Sequence, residues 1–153
     1  MAKKSAGILM YRYRNDELEV LLVHPGGPFW SGKDLGSWSV PKGEYEDPED
    51  AFTVARRELL EETGFEAEGE FIELTPIKQP SGKVVSVWAV RGDYDATSAR
   101  SNCFTIEWPK RSGIMKEFPE IDRADWFPVT VAREKLLKGQ VPFLDQLCKV
   151  LGS

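Results

Sequence analysis

Within the segment GEYEDPEDAFTVARRELLEETGF, Gly43 to Phe65, the glutamates Glu58, Glu61 and Glu62 are separated by three and four residues. On a helix of about 3.6 residues per turn such positions are neighbours on one face. Like charges at this spacing each cost ~0.2 to 0.5 kcal/mol, and acids in a last helical turn also meet the negative end of the helix dipole. A divalent cation would reverse the sign of all these interactions. A site built from oxygen atoms suits magnesium or manganese better than a softer metal. The alternative is a solvated acidic face relieved by Arg56 and Arg57.

The elements that must hold these acids can be read around them. Asp47 is expected as the helix N-cap, with Pro48 at the first helical position and Glu49 and Asp50 near the positive end of the dipole. The helix should run to Thr63 and stop at Gly64. Ala51, Val54, Ala55 and Leu59 recur at helical spacing, which predicts a buried stripe packed on a sheet.

Upstream, AGILMYRY and LEVLLVH flank the turn-forming RNDE and predict a β-hairpin. The segment WSVPKGEYED carries a short strand into the helix. Downstream, FEAEGEFIELTPIKQ and KVVSVWAVRGDY read as two strands joined at PSGK. A further strand is expected in NCFTIEWP, a loop in KRSGIMKEFPEID and a short strand in RADWFPV. The tail should form one or two helices with Leu144, Leu147, Cys148 and Leu151 on one face. The expectation is an α/β fold with a mixed β-sheet flanked by helices, forming a single domain over residues 1–153.

A net charge of -5 and a pI near 5.0 disfavour a general nucleic-acid binder, which needs a broad basic surface. No stable nucleic-acid partner is expected. The first apolar run is too short for a signal peptide, and no segment approaches a membrane span. Cys103 and Cys148 form no CxxC pair and no disulfide framework. These features point to a cytoplasmic protein. Its oligomeric state is left open.

The same segment resembles the signature of the Nudix hydrolases, G-x5-E-x7-R-E-U-x-E-E-x-G-U with U a bulky apolar residue, at every defined position from Gly43 to Phe65. The resemblance implies an α/β/α sandwich and an enzyme that uses Mg2+, or Mn2+, to hydrolyse a nucleoside diphosphate linked to another group. It implies metal ligands at Glu58, Glu61, Glu62 and the Gly43 carbonyl, with one acid of the cluster acting as base. Arg57 matches an arginine that orients the glutamates, and Glu49 a residue that supports the preceding loop. Many relatives add an acid shortly before a Trp-containing strand. Glu120, six residues before Trp126, is the first choice for that ligand or base, and Glu117 the reserve.

The entry WSVPKGE, Trp38 to Glu44, is similar to that of the diadenosine polyphosphate hydrolases and their diphosphoinositol relatives. Lys42 would then meet a phosphate oxygen, and Lys33, Lys110 and Arg111, in expected loops, could meet others. Trp30 lies on the loop PGGPFWSGKDLGS, which either offers a stacking surface for a base or folds back on the core. Trp38, Trp88 and Trp126 fall in strand-like contexts expected in the core, and Trp108 is left open. His24, the sole histidine, ends a strand and reads as structural. The implied substrate is a dinucleoside polyphosphate. Nucleoside triphosphates, nucleotide sugars, diphosphoinositol phosphates and RNA caps are alternatives of the same chemistry, and a non-catalytic nucleotide sensor is the alternative of another class.

Overall fold

The computed structural model describes residues 3–152, so the ends of the expected 1–153 span lie outside the described residues. The chain opens with the expected hairpin, β1 (Lys4–Arg14) and β2 (Glu17–Pro25). Asn15 and Asp16 both take positive φ, 53° and 64°, the backbone that a two-residue hairpin turn requires. β1 is nearly all buried because it lies at the centre of the sheet: β2 pairs its second half, β3 (Lys42–Tyr45) its first half, and β6 (Val84–Arg91) runs parallel along its other edge.

Two short strands, β4 (Ile72–Glu73) and β5 (Ile77–Lys78), pair with β6, and β9 (Ile121–Pro128) pairs with β2. The resulting seven-stranded sheet is mostly antiparallel with one parallel pairing. The continuous strand expected in FEAEGEFIELTPIKQ is thus broken in two. Between its halves the Thr75 N–H donates to the Gln146 side chain instead of a neighbouring strand.

Helix α1 (Ala51–Thr63) packs on one face through Val54, Ala55 and Leu59, which meet Ala6, Ile8, Met10 and Leu21. Its true N-cap is Asp50, not Asp47. The Asp50 carboxylate accepts from the Thr53 N–H at 3.0 Å and from its hydroxyl at 2.9 Å, which leaves Asp47, Pro48 and Glu49 in the preceding loop. Gly64 ends the helix as expected, at φ 81°. On the opposite face, α2 (Val129–Lys135) and α3 (Val141–Leu151) cover a second core containing Leu9, Val20, Leu22, Val87 and Phe143. Leu144 and Leu147 of α3 are fully buried, with Cys148 and Leu151 packed at the margin. Helices on both sides of one sheet give the α/β/α sandwich.

Part of the loop expected in KRSGIMKEFPEID is a strand. β8 (Met115–Pro119) pairs antiparallel with β7 (Cys103–Glu107) in a separate two-stranded ribbon. Most of β8 is exposed, so it lacks the apolar alternation that reveals a half-buried strand. Glu107 closes the ribbon's tip by accepting the N–H groups of Arg111 and Gly113 at 2.9 and 3.2 Å. No helix among the described residues is long and apolar enough to cross a membrane.

Candidate functional site

The acids of α1 lie against the start of β3. A Cβ placed on Gly43 would stand 2.1 Å from the Glu58 carboxyl carbon and 2.3 and 2.5 Å from its two oxygens. Only glycine lets that carboxylate sit on the β3 backbone. Burial pushes the Glu58 carboxyl above its ordinary protonation range, and Glu61 and Glu120 push in the same direction while Arg57 opposes them.

Glu62 is pushed further, to about 8, first by burial and then by the charge of Glu58, with Glu120 adding to it. Two interactions oppose this shift: the Lys42 backbone N–H donates to the Glu62 carboxylate, and the Lys42 ammonium lies nearby. Glu58, Glu61, Glu62 and Glu120 therefore share one electrostatic neighbourhood.

Glu120 is held there by its backbone. Its N–H donates to the Asn102 carbonyl at 2.8 Å, and its own carbonyl accepts from Gly26 N–H at 2.8 Å. Asn102 N–H in turn donates to the Glu61 carbonyl at 3.1 Å, so main-chain bonds join the end of α1 to the Glu120 turn. Glu117, by contrast, lies within β8, paired with Thr105.

Arg57 spreads the cluster. Its guanidinium pairs with Glu49 at 3.0 Å and lies 4.0 Å from Glu58 and 3.9 Å from Glu61. Among the described residues, no three His, Cys, Asp or Glu side chains are gathered into a ready-made metal cage. The donor set nevertheless fits a hard divalent cation. Glu58 is seated on the Gly43 backbone and Glu62 accepts from the Lys42 N–H, and burial and like charge favour the neutral forms of these two carboxyls, a penalty that a bound cation would remove.

Lys42 is half-buried between β1 and the acids. Burial holds its ammonium below the ordinary lysine range, and the neighbouring Lys83 charge adds to the effect. Lys83, which no motif in the sequence marks, immediately precedes β6 and pairs with Glu44 at 3.5 Å. Two ammonium groups therefore meet beside the carboxylates. A period-two count from the buried Val85 and Val87 would have put Lys83 on their face, but a lone lysine after a turn gives no other signal.

Trp30 lies half-buried on the loop that leaves β2, with the Lys33 ammonium 5.4 Å from its ring centroid. The neighbouring Phe29 is exposed and meets Trp108 edge-on at 5.4 Å, which joins this loop to the β7–β8 ribbon. Lys110 and Arg111 are exposed at the ribbon's tip. Trp38 and Trp126 are buried, as expected, whereas Trp88 is partly buried and packs against Phe52. A cavity of about 310 Å³, lined by Glu62, Arg100, Ser101, Asp122 and Arg123 among others, opens beside the acids.

The RNA pyrophosphohydrolase of Dinoroseobacter shibae is 42% identical to this chain over 90 residues, covering 53% of the chain and 55% of that protein. The chain thus spans about half the length of the curated relative it matches. Two solved structures share its fold at 18% identity. The NUDIX domain of Shewanella oneidensis NrtR, complexed with ADP ribose, aligns with a TM-score of 0.68 over 99% of this chain and 89% of its own. A C. elegans Ap4A hydrolase aligns with a TM-score of 0.66 over 99% and 98%. A profile of the NUDIX domain matches residues 1–147, the acidic helix and its glycine cradle included, and the chain belongs to the Nudix family.

Proposed function

We propose that this protein is a magnesium-dependent pyrophosphohydrolase, acting as one domain, which cleaves a phosphoanhydride in a nucleoside diphosphate linked to another group. Manganese is the natural substitute metal. The observation that carries the reading is the Glu58 carboxylate seated on Gly43 within the field of Glu61, Glu62 and Glu120. A cation bound there would neutralise phosphate charge and favour attack by water on phosphorus.

Glu58, Glu61, Glu62, Glu120 and the Gly43 carbonyl are the residues that would hold it. Arg57 orients the carboxylates, and Glu49 fixes Arg57. Glu58 or Glu120 accepts the proton from the attacking water as the new P–O bond forms. The bridging P–O bond breaks, and its electron pair leaves with the departing phosphate. Lys42, with Lys83 beside it, binds phosphate oxygens, which would relieve the repulsion between the two ammonium groups.

Dinucleoside polyphosphates such as diadenosine tetraphosphate, cleaved to AMP plus ATP, are the first substrate class. Trp30 would stack on a base, with Lys33, Lys110 and Arg111 meeting the outer phosphates. The likeness to an RNA pyrophosphohydrolase favours a second reading, in which the 5′ phosphates of RNA occupy the same site. The free thiols Cys103 and Cys148 suit the reducing cytoplasm.

Product analysis with and without magnesium tests the proposal, using diadenosine tetraphosphate, nucleoside triphosphates, ADP-ribose, a diphosphoinositol phosphate and a 5′-triphosphorylated RNA oligonucleotide. Fastest release of AMP plus ATP from the first supports the lead reading. Preference for the RNA replaces it with the second. No magnesium-dependent turnover of any member would overturn both.

A further inference from the structure

His24 sits at the junction of two segments that the proposed function uses separately. The imidazole is only 5% exposed, and both of its nitrogens are engaged. A carbonyl oxygen can only accept, so Nε2 donates to the Lys33 carbonyl, at 2.6 Å. On the other side, Nδ1 pairs with Oδ1 of Asp122 at 2.8 Å. The ring edge also packs on Trp38, with centroids 5.2 Å apart.

The first bond fastens the loop that carries Trp30 and Lys33. The second fastens the turn that carries Glu120. Asp122 is available because the pairing of β2 with β9 is irregular: His24 faces Arg123 while Pro25 faces Ile121, which leaves Asp122 as the extra residue. Such a bulge re-aims a side chain out of the ladder, and bulges of this kind gather beside functional sites. Each segment has further supports. Asp34 of the loop accepts from Trp38 Nε1 at 2.8 Å and pairs with Lys135, while Ser101 Oγ accepts from Ile121 N–H at 3.0 Å in the turn. The two segments also meet through the main chain, where Gly26 N–H donates to the Glu120 carbonyl at 2.8 Å, and His24 adds a side chain that bonds to both.

We infer that His24 is a positioning residue that couples the aromatic substrate loop to the Glu120 turn, holding the base-binding surface in register with the acids. The inference rests on the proposed roles of Trp30 and Glu120. A buried histidine must satisfy both ring nitrogens, and one that merely filled core space could do so within a single element. This one spends each ring nitrogen on a separate half of the site.

Two conservative variants separate the two bonds. Asn carries an amide nitrogen near the position of Nδ1, so His24→Asn keeps the link to Asp122 and loses the link to Lys33; Gln reaches the position of Nε2, so His24→Gln does the reverse. Hydrogen exchange and steady-state kinetics on the full chain read the outcome. His24→Asn should speed exchange in residues 26–36 and raise KM about tenfold with kcat nearly unchanged. His24→Gln should speed exchange in residues 119–123 and lower kcat about tenfold with KM nearly unchanged.

No change in either segment, or loss of a cooperative unfolding transition in both variants, would overturn the coupling in favour of a purely structural role. Should the wild-type protein turn over none of the panel substrates, the functional reading fails, and the exchange pattern alone decides whether His24 couples the segments.

Discussion

Helices α1 and α3 cover opposite faces of one sheet, and both end at a glycine in the left-handed region, Gly64 at φ 81° and Gly152 at φ 73°. They differ in what occupies the last turn. α3 carries Lys149 there, where a cation suits the dipole, and its apolar residues Phe143, Leu144 and Leu147 are fully buried. α1 has no basic residue in its last turn and carries Glu61 and Glu62 instead. A helix that only covers a core follows local electrostatics. A helix that breaks them while remaining well packed through Val54, Ala55 and Leu59 is what the proposed metal-binding task would require.

The largest expected effect comes from removing that violation. Glu61→Gln and Glu62→Gln should each leave a folded protein whose magnesium-dependent turnover falls by ~10²- to 10⁴-fold. Lys149→Gln, an equally conservative change in the last turn of α3, should leave turnover within about twofold. Near-normal turnover in both glutamine variants would dissolve the distinction between the helices and remove the site assignment.

A smaller effect sharpens the comparison through pH. Glu62 in the folded chain is pushed from 4.5 to about 8, chiefly by burial. Between those values the folded state keeps a proton that the unfolded state has released, so folding stability falls as pH rises across this window and levels off above it. In chelator, the Tm should therefore decline from pH 5 to pH 8. Glu62→Gln should flatten that decline, and added magnesium should reverse it by favouring the ionised carboxylates. A Tm profile unchanged by the substitution would mean that Glu62 is not the group responsible.

Much of this site was legible because its information is local. Glu58, Glu61 and Glu62 could be placed together by helical period alone, and the stop at Gly64 followed from its residue type. The start was misread because Asp47-Pro48 and Asp50 offer competing caps within four residues, and only the reach of the Asp50 carboxylate to Thr53 decides between them. Glu120 could be named from its place before Trp126, but how distant elements meet could not be read. Glu120 is fixed by a main-chain bond to Asn102, Lys83 meets Lys42 across β1, and His24 meets Asp122 through a bulge 98 residues away. None of those meetings has a periodicity, because each arises where elements distant in sequence pack together.

The smallest effect tests whether the two glycine stops are equally constrained. A Cβ at Gly64 would find only the Arg100 backbone, at 3.6 Å and beyond, and one at Gly152 would find nothing within 4 Å. Neither substitution by alanine is therefore opposed by a clash, and the cost is the left-handed backbone itself, about 1 kcal/mol. At Gly152 the last turn of α3 can fray and shed much of that cost, because Lys149, Val150 and Gly152 are all exposed there. At Gly64 it cannot. The Gly64 N–H donates to the Leu60 carbonyl at 2.7 Å, the next residue, Phe65, is buried, and Arg100 N–H holds the Thr63 carbonyl at 2.9 Å. Gly64→Ala should therefore lower the urea midpoint by an amount near the full cost at unchanged m, and Gly152→Ala by a few tenths of a kcal/mol. Equal shifts would mean that the end of α1 relaxes as freely as the exposed end of α3, and the acids it carries would then be held by the sheet and Arg57 rather than by the helix.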